Sequence, residues 1–258
     1  MEPDFKSDDG KFELYHADCF DVMRELPSKS VDVIFVDPPY FLSNGGVTCS
    51  SGQRVSVNKG QWDSEIDPIK IHRFNIKWLS ACKRLLNDNG TIWVSGTRHN
   101  IYSVGFAMHQ LEFKLLNDIT WEKANPPPNL SCRYFTHATE TILWAAKSNK
   151  SKYTFNYKEM KSDNDGKQMK SIWRISAPKK KEKVYGRHPT QKPLKLLNRI
   201  VKASTSADAL VLDPFNGSGT TGIAAYELGR RYIGIELEKE YFDLSVRRFG
   251  GIKNVNGP

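Results

Sequence analysis

The feature that most constrains this chain lies near its end. Residues 209–213 form an apolar, strand-like run, and Pro214-Phe215-Asn216-Gly217-Ser218-Gly219 reads as a tight turn. A helical pattern then opens at Thr220. One strand–turn–helix unit cannot make a parallel sheet; it needs neighbours reached by further crossovers. Downstream there is only the strand-like 231–235, ending at Glu236, before the sequence closes at Pro258. The rest of the sheet is therefore expected from upstream, in a circularly permuted order.

The upstream sequence supplies what that order requires. Strand-like runs rich in Val, Ile, Trp and Phe occur at 11–16, 31–36, 91–95, 115–121 and 140–146. Helical spacing is read over 69–86 (stopping at Asn89-Gly90), 99–111, 193–204, 219–229 and 239–249. Strands alternating with helices predict an α/β fold: a doubly wound, mostly parallel, Rossmann-like sheet of about seven strands. Runs 115–121 and 140–146 have no obvious helix between them and predict one antiparallel addition. We read 1–258 as a single permuted domain: one half at 11–147, an insertion at 148–187 and a second half at 188–249. Two segments break the rhythm. Residues 41–62, rich in Gly, Ser and Asn, predict a functional or disordered loop. Residues 148–187 are polar and basic and lack a convincing core of their own. Trp62, Trp78 and Trp93 are expected in the core.

Charge and cysteine usage narrow the class. The net charge of +9 serves solubility on one reading and a polyanionic partner on another, whose counterions clustered Lys and Arg displace; the motifs below favour the second. Cys19, Cys49, Cys82 and Cys132 form no CxxC pair, so neither a zinc site nor a disulfide framework is expected, and no metal is assigned. The first residues lack the basic-then-apolar order of a signal peptide, and no apolar stretch approaches the roughly 20 residues of a membrane span. A cytoplasmic, membrane-free protein is expected.

The turn at Gly217-Ser218-Gly219-Thr220-Thr221-Gly222 satisfies GxGxxG, a pattern shared by dinucleotide and adenosyl cofactors. Glycines let the backbone approach a ligand, and the helix start offers N–H groups. Asp213 and Glu236 end adjacent strand-like runs, and a carboxylate at Glu236 suits bidentate bonding to ribose hydroxyls. The choice between cofactors comes from a second motif. Asp37-Pro38-Pro39-Tyr40 directly follows the run Val31–Val36. An aromatic N6 amine is a poor nucleophile, because its lone pair is delocalised into the ring. The Asp37 carboxylate and the Pro38 carbonyl can accept its two hydrogens, while Pro39 stiffens the turn and Tyr40 stacks on the base. A hydride-transfer site is not evident. S-adenosylmethionine, leaving as S-adenosylhomocysteine, is thus the cofactor that makes sense of both motifs.

These residues resemble the β-class amino methyltransferases of restriction–modification systems, in which the catalytic motif precedes the target-recognition segment and the cofactor motif. The resemblance covers nearly the whole chain. It implies a cofactor contact at Asp18 and Cys19, within His16-Ala17-Asp18-Cys19, and another at His188, Thr190 and Lys192, within His188-Pro189-Thr190-Gln191-Lys192-Pro193. It adds Asp37, Asp213, Pro214, Phe215, Asn216, Gly217, Ser218, Gly219, Thr220 and Glu236 to the same cofactor site. Asp37 rather than Ser at the head of the motif implies adenine N6 more than cytosine N4. More narrowly, Phe41–Gly46 and Asn125–Phe135 resemble the second adenine methylases of Dpn-type systems, which act at GATC and accept single-stranded DNA.

The family relationship implies DNA, double- or single-stranded, as partner, with the target base flipped out or already unpaired. Residues 148–187 then read sequence, with lysines as phosphate partners and Tyr153, Phe155, Tyr157 and Trp173 interleaved. The DNA contacts expected are Ser43, Arg54, Arg98, Asn125, Arg133, Lys179, Lys180 and Lys181; His99 suits capping or packing equally well. A homodimer and a cognate restriction endonuclease remain open as partners. Three other readings share the motifs: cytosine-N4 methylation, RNA methylation, and a DNA-binding specificity protein without catalysis. The permuted order argues against the second, and two intact motifs against the third.

Overall fold

The computed structural model describes residues 1–39, 47–50, 53–56 and 67–255, and of 47–50, 53–56 and 252–255 the backbone. In chain order the elements are β1 (Phe5–Lys6), β2 (Phe12–His16), α1 (Cys19–Glu25), β3 (Val31–Val36) and the hairpin β4 (Val47–Ser50) and β5 (Gln53–Ser56). Then come α2 (Pro68–Leu85), β6 (Leu86–Gly96), α3 (Ile101–Gln110), β7 (Lys114–Glu122), β8 (Thr139–Ala146), α4 (Tyr157–Ser162) and β9 (Ile172–Arg174). A 3₁₀ turn (Lys180–Lys183), α5 (Leu194–Ser204), β10 (Leu210–Asp213), α6 (Thr220–Glu227), β11 (Arg231–Glu236) and α7 (Lys239–Val255) complete the fold.

Nine of these strands make one sheet in the order β1–β2–β11–β10–β3–β6–β8–β7–β9. All seven expected strands are present. Two short ones, β1 and β9, extend the edges beyond the sequence reading. Strands β2, β11, β10, β3 and β6 are mutually parallel; β8 is antiparallel to both β6 and β7, and the short edge strand β1 is antiparallel to β2, so within the seven expected strands the reversal falls on β8. The expected antiparallel pair is therefore β7–β8, and β7 itself runs with the majority.

Alternation explains the layering. Along β3, Val31, Ile34 and Val36 enter a core with α1, α2 and α3, while Val33 and Phe35 face α5 on the other side. A third cluster joins Phe12, Leu14 and Tyr232 to Ala225 of α6 and Phe249 of α7. Strands covered on both faces must be apolar at consecutive positions, as this one is. Trp78 and Trp93 are fully buried, as expected; Trp62 lies outside the described residues. No helix among the described residues is long and apolar enough to cross a membrane.

Three local readings are corrected. The stop foreseen at Asn89-Gly90 is not a gap between helix and strand: α2 ends at Leu85 and β6 begins at Leu86. The strand's early residues pair with β3 through a register shift between Val31 and Val33. Second, the loop 41–62 contains the β4–β5 hairpin, with Cys49 opposite Arg54. Third, two of the four interleaved aromatics of 148–187 pack on the sheet, while Phe155 and Tyr157 stay exposed: Trp173 is buried 6.2 Å from Trp93, and Tyr153 meets Trp144 edge-on at 5.6 Å. The short helix α1 was not foreseen, although Asp18 caps it by accepting from Phe20 N at 2.7 Å.

Candidate active site

The chain order reverses between β10 and β3. From β10 it proceeds through α6 to β11 on one side; from β3 it proceeds through α2 to β6 on the other. Such a switch point leaves a crevice at the carboxyl ends of the strands. Val211 pairs with Val33 and Leu212 with Ile34, so Asp213 and the Asp37 turn leave neighbouring parallel strands side by side. A cavity of about 510 Å³ opens there, lined by residues of both motifs, of the Asp18 turn and of the His188 segment. Its size suits a small cofactor.

The glycine-rich wall is held from behind. Gly217 has φ +53° and Gly219 φ +74°, left-handed values that favour glycine. A Cβ on Gly217 would stand 3.3 Å from the His188 ring, so the two segments close against each other. Asn216 donates to Ser245 Oγ at 2.7 Å and accepts from Tyr232 Oη at 2.8 Å. Arg248 of α7, almost fully buried, donates to Ser218 Oγ at 3.0 Å and Thr220 Oγ1 at 2.9 Å, and also to the Ser218 carbonyl. Burial pulls its guanidinium down to about 10. At Gly222 a Cβ would meet Phe12 and Tyr232 at 2.5 Å, which shows how tightly α6 sits on the sheet.

Two carboxylates line the cavity at adjacent strand ends. Glu236 accepts from Gly217 N at 2.6 Å and Glu238 N at 2.9 Å. Asp213 accepts from Thr221 Oγ1 at 2.6 Å and Phe215 N at 3.1 Å. Burial pushes each up to about 7, against the hydrogen bonds that favour the anion. Asp18, Cys19 and Phe20 form the next wall, with Phe74 edge-on to Phe20 at 6.1 Å and Phe215 6.3 Å from Phe74. Burial raises the Cys19 thiol to about 12, so it is an apolar wall group rather than a nucleophile.

The opposite side belongs to Asp37. Its Oδ2 pairs with Lys192 Nζ at 2.5 Å, and Lys192 lies 3.6 Å from Glu140, which pairs with Lys123 at 2.6 Å. Burial alone would lower the Lys192 pKa, yet Asp37 and Glu140 together hold it above its ordinary value. Burial likewise opposes the Glu140 charge, and Lys192 and Lys123 together win, lowering its pKa. The result is a chain of alternating charge that ends at the Asp37 carboxylate. Behind the turn, Asn100 donates to the Pro39 carbonyl at 3.3 Å.

The cavity wall thus gathers Asp18, Cys19, Asp37, Pro38, Pro39, His188, Thr190, Lys192, Asp213 through Ser218, Thr220 and Glu236. Gly219 lies off the wall, where its left-handed φ starts α6. Lys192 is on the wall, but its ammonium is spent on Asp37 and Glu140. Tyr40 and Ser43 lie outside the described residues, as does the side chain of Arg54 on β5. Arg98, Asn125, Arg133, Lys179, Lys180 and Lys181 are all exposed. The lysine run is tied to the His188 segment, since Glu182 accepts from Leu194 N at 2.8 Å and its carbonyl from Gln191 Nε2 at 2.9 Å. Sequence reasoning missed Glu140, Lys123, Arg248, Phe20 and Phe74. Only Asp18, a helix-capping residue type two positions before Phe20, offered a signal, and that for Phe20 alone.

Strand order, switch-point cleft, glycine-rich wall, ribose-type carboxylate and the Asp37 turn define an S-adenosylmethionine-dependent methyltransferase with permuted halves. The comparisons agree. The DNA methylase family model matches residues 31–247. Type II methyltransferase M2.MboI of Moraxella bovis is 53% identical over 255 residues, covering 99% of this chain and 93% of the relative. Type II methyltransferase M2.DpnII of Streptococcus pneumoniae is 55% identical over 247 residues, covering 95% and 92%. The crystal structure of an M1.HpyAVI–SAM complex superposes with a TM-score of 0.70 at 30% identity, covering 92% of this chain and 98% of that one. The chain belongs to the DNA methylase family.

Proposed function

We infer that this protein methylates N6 of adenine in DNA, at GATC, as a modification enzyme of a Type II restriction–modification system. The observation that carries this reading is the placement of Asp37 in the same cavity as Glu236 and the Gly217 loop, on the neighbouring parallel strand. The residues fit the cofactor. Glu236 suits its two ribose hydroxyls, Asp18 and the Phe20–Phe74 wall its adenine, and the Gly217 and His188 segments its amino-acid end. When bound, S-adenosylmethionine supplies an electrophilic methyl group.

The chain's own residues do the rest. Asp37, the anionic half of an ion pair, is an acceptor only, and with the Pro38 carbonyl it takes both hydrogens of an exocyclic amine. This favours a pyramidal nitrogen whose lone pair points away from the ring. The proton released on methylation leaves along the hydrogen bond to Asp37. Tyr40 stacks on the base, which reaches the pocket either extruded from a duplex or from a single strand. Arg98, Asn125, Arg133 and the lysines at 179–181 border the DNA. Residues 11–147 act as the catalytic half, 148–187 as the recognition insertion and 188–249 as the cofactor half. The setting that suits these parts is the cytoplasm, alongside an endonuclease for the same site and, for the protein itself, a homodimer.

Methyl-labelled cofactor and GATC-containing DNA, incubated with the protein and hydrolysed to nucleosides, should place the label in N6-methyldeoxyadenosine. Label in N4-methyldeoxycytidine, or transfer to RNA in preference to DNA, overturns the reading. Cofactor binding with no transfer to any nucleic acid overturns it in favour of a non-catalytic DNA-binding protein.

A further inference from the structure

The connection between β7 and β8, residues 123–138, leaves the sheet at the same end as Asp37. Gly96 at the end of β6 is level with Thr141, and Glu122 with Thr139, so the root of this loop stands beside the catalytic strand ends. Its first residue, Lys123, pairs with Glu140, and Glu140 with the Lys192 that holds Asp37. From this root the chain presents Phe135, 95% exposed, with Tyr134 at 58% beside it. Phe135 and Tyr134 together make an exposed aromatic patch on a loop rooted at the catalytic strand ends, the kind of position where binding residues concentrate.

The tip is built rather than slack. The Asn129 side chain accepts from Ser131 N at 3.0 Å and Ser131 Oγ at 2.7 Å, and donates to the Tyr134 carbonyl at 2.5 Å. Pro126, Pro127 and Pro128 stiffen the approach. On the return, His137 meets Arg98 Nη1 at 2.6 Å and lies 5.4 Å from the Tyr134 ring. The surroundings are cationic, with Arg98 and Arg133 exposed on the same face of the molecule as a small apolar group of Leu130, Tyr134 and Phe135. A protein partner would be met by a broad apolar face. Two adjacent rings beside guanidinium groups suit a polyanion whose interior is stacked and apolar.

We propose that Phe135, backed by Tyr134, is a wedge that enters the DNA base stack beside the target. It occupies the gap left when the base turns out toward Asp37. This rests on the function inferred above. Aromatic or aliphatic wedges lower the net cost of an unstacked step, and base–aromatic stacking tolerates any sequence. Phe135 is then a positioning residue for duplex substrates. On a single strand, which has no stack to close, it has little to do.

The test compares Phe135→Ala and Phe135→Leu with the wild type. Each is assayed for methyl transfer to a GATC duplex and to one of its separated strands. The Ala variant should lose about tenfold or more in kcat/KM on the duplex and keep its rate on the single strand. The Leu variant should recover most of the duplex rate. With 2-aminopurine at the target position, the fluorescence rise on binding should fall in the Ala variant. Cofactor affinity and melting temperature should stay at wild-type values. Equal losses on duplex and single strand, or no loss on the duplex, overturn the wedge. A wild-type protein that methylates neither substrate overturns instead the function on which it rests.

Discussion

Replacing Lys192 by Met removes one ammonium from between two carboxylates while nearly conserving side-chain volume. Lys192 is 6% exposed, with Asp37 Oδ2 at 2.5 Å and Glu140 Oε2 at 3.6 Å. Removing one partner of a buried pair costs about 3–5 kcal/mol, because the remaining charge keeps its desolvation penalty. Lys123 at 2.6 Å still serves Glu140, so the lower end, about 3 kcal/mol, is expected. The pH dependence follows from the two shifts. In the wild type, the raised Lys192 pKa gives stability that is complete below its unfolded value and lost only as pH rises through the folded one. The lowered Glu140 pKa gives stability that is complete above its unfolded value and lost only in acid. Between about pH 5 and about pH 8 both contributions are therefore constant. In the variant, burial acts on carboxylates short of a cation and raises their pKa, so protonation relieves the penalty as pH falls. Urea denaturation at both pH values should show a deficit near pH 8 that shrinks by about 1 kcal/mol or more near pH 5. The double variant Lys192→Met with Glu140→Gln should recover part of it. A deficit below about 1 kcal/mol that does not change with pH would refute the charge chain.

Three further outcomes follow from the same site. Burial holds Glu236 at about 7, so cofactor affinity should fall as pH drops below that value, up to about tenfold per pH unit, and Glu236→Gln should flatten the profile in a calorimetric titration. Arg248→Met should cost about 2 kcal/mol of stability and weaken cofactor binding, since Ser218 and Thr220 lose a charged donor; unchanged melting and binding would show that the loop stands without it. Lys179, Lys180 and Lys181 changed together to Ala should make the dependence of log K for duplex DNA on log salt shallower, by about 0.9 for each phosphate no longer neutralised, with cofactor affinity unchanged.

The parts of the fold that sequence makes legible are those where local pattern and global role coincide. The stretches 33–36 and 209–212 are continuous and apolar because both faces of β3 and β10 are covered, and each runs into a motif whose chemistry suggests its use. The reversal at β8 was readable from the missing helix between 115–121 and 140–146. What stayed hidden is tertiary. Arg248, next to Arg247 on α7, has the look of a surface charge pair, and only packing against the Gly217 loop makes it a buried donor. Glu140 opens a strand with nothing local to distinguish it from an edge carboxylate, and its role exists only because β8 sits between β6 and β7. Trp173 reads as a base-stacking aromatic in a basic segment, but β9 pairs with β7 and turns that ring onto Trp93.

On the proposed function, labour is divided across one cleft: the ends of β10 and β11 hold the cofactor, and the turn after β3 holds the amine. Asp37→Ala separates the two. Equilibrium binding of S-adenosylmethionine should stay within about threefold of the wild type, while methyl transfer to GATC DNA should fall by about a thousandfold or more. A variant that still methylates DNA at a comparable rate, with cofactor affinity intact, would contradict the role given to Asp37.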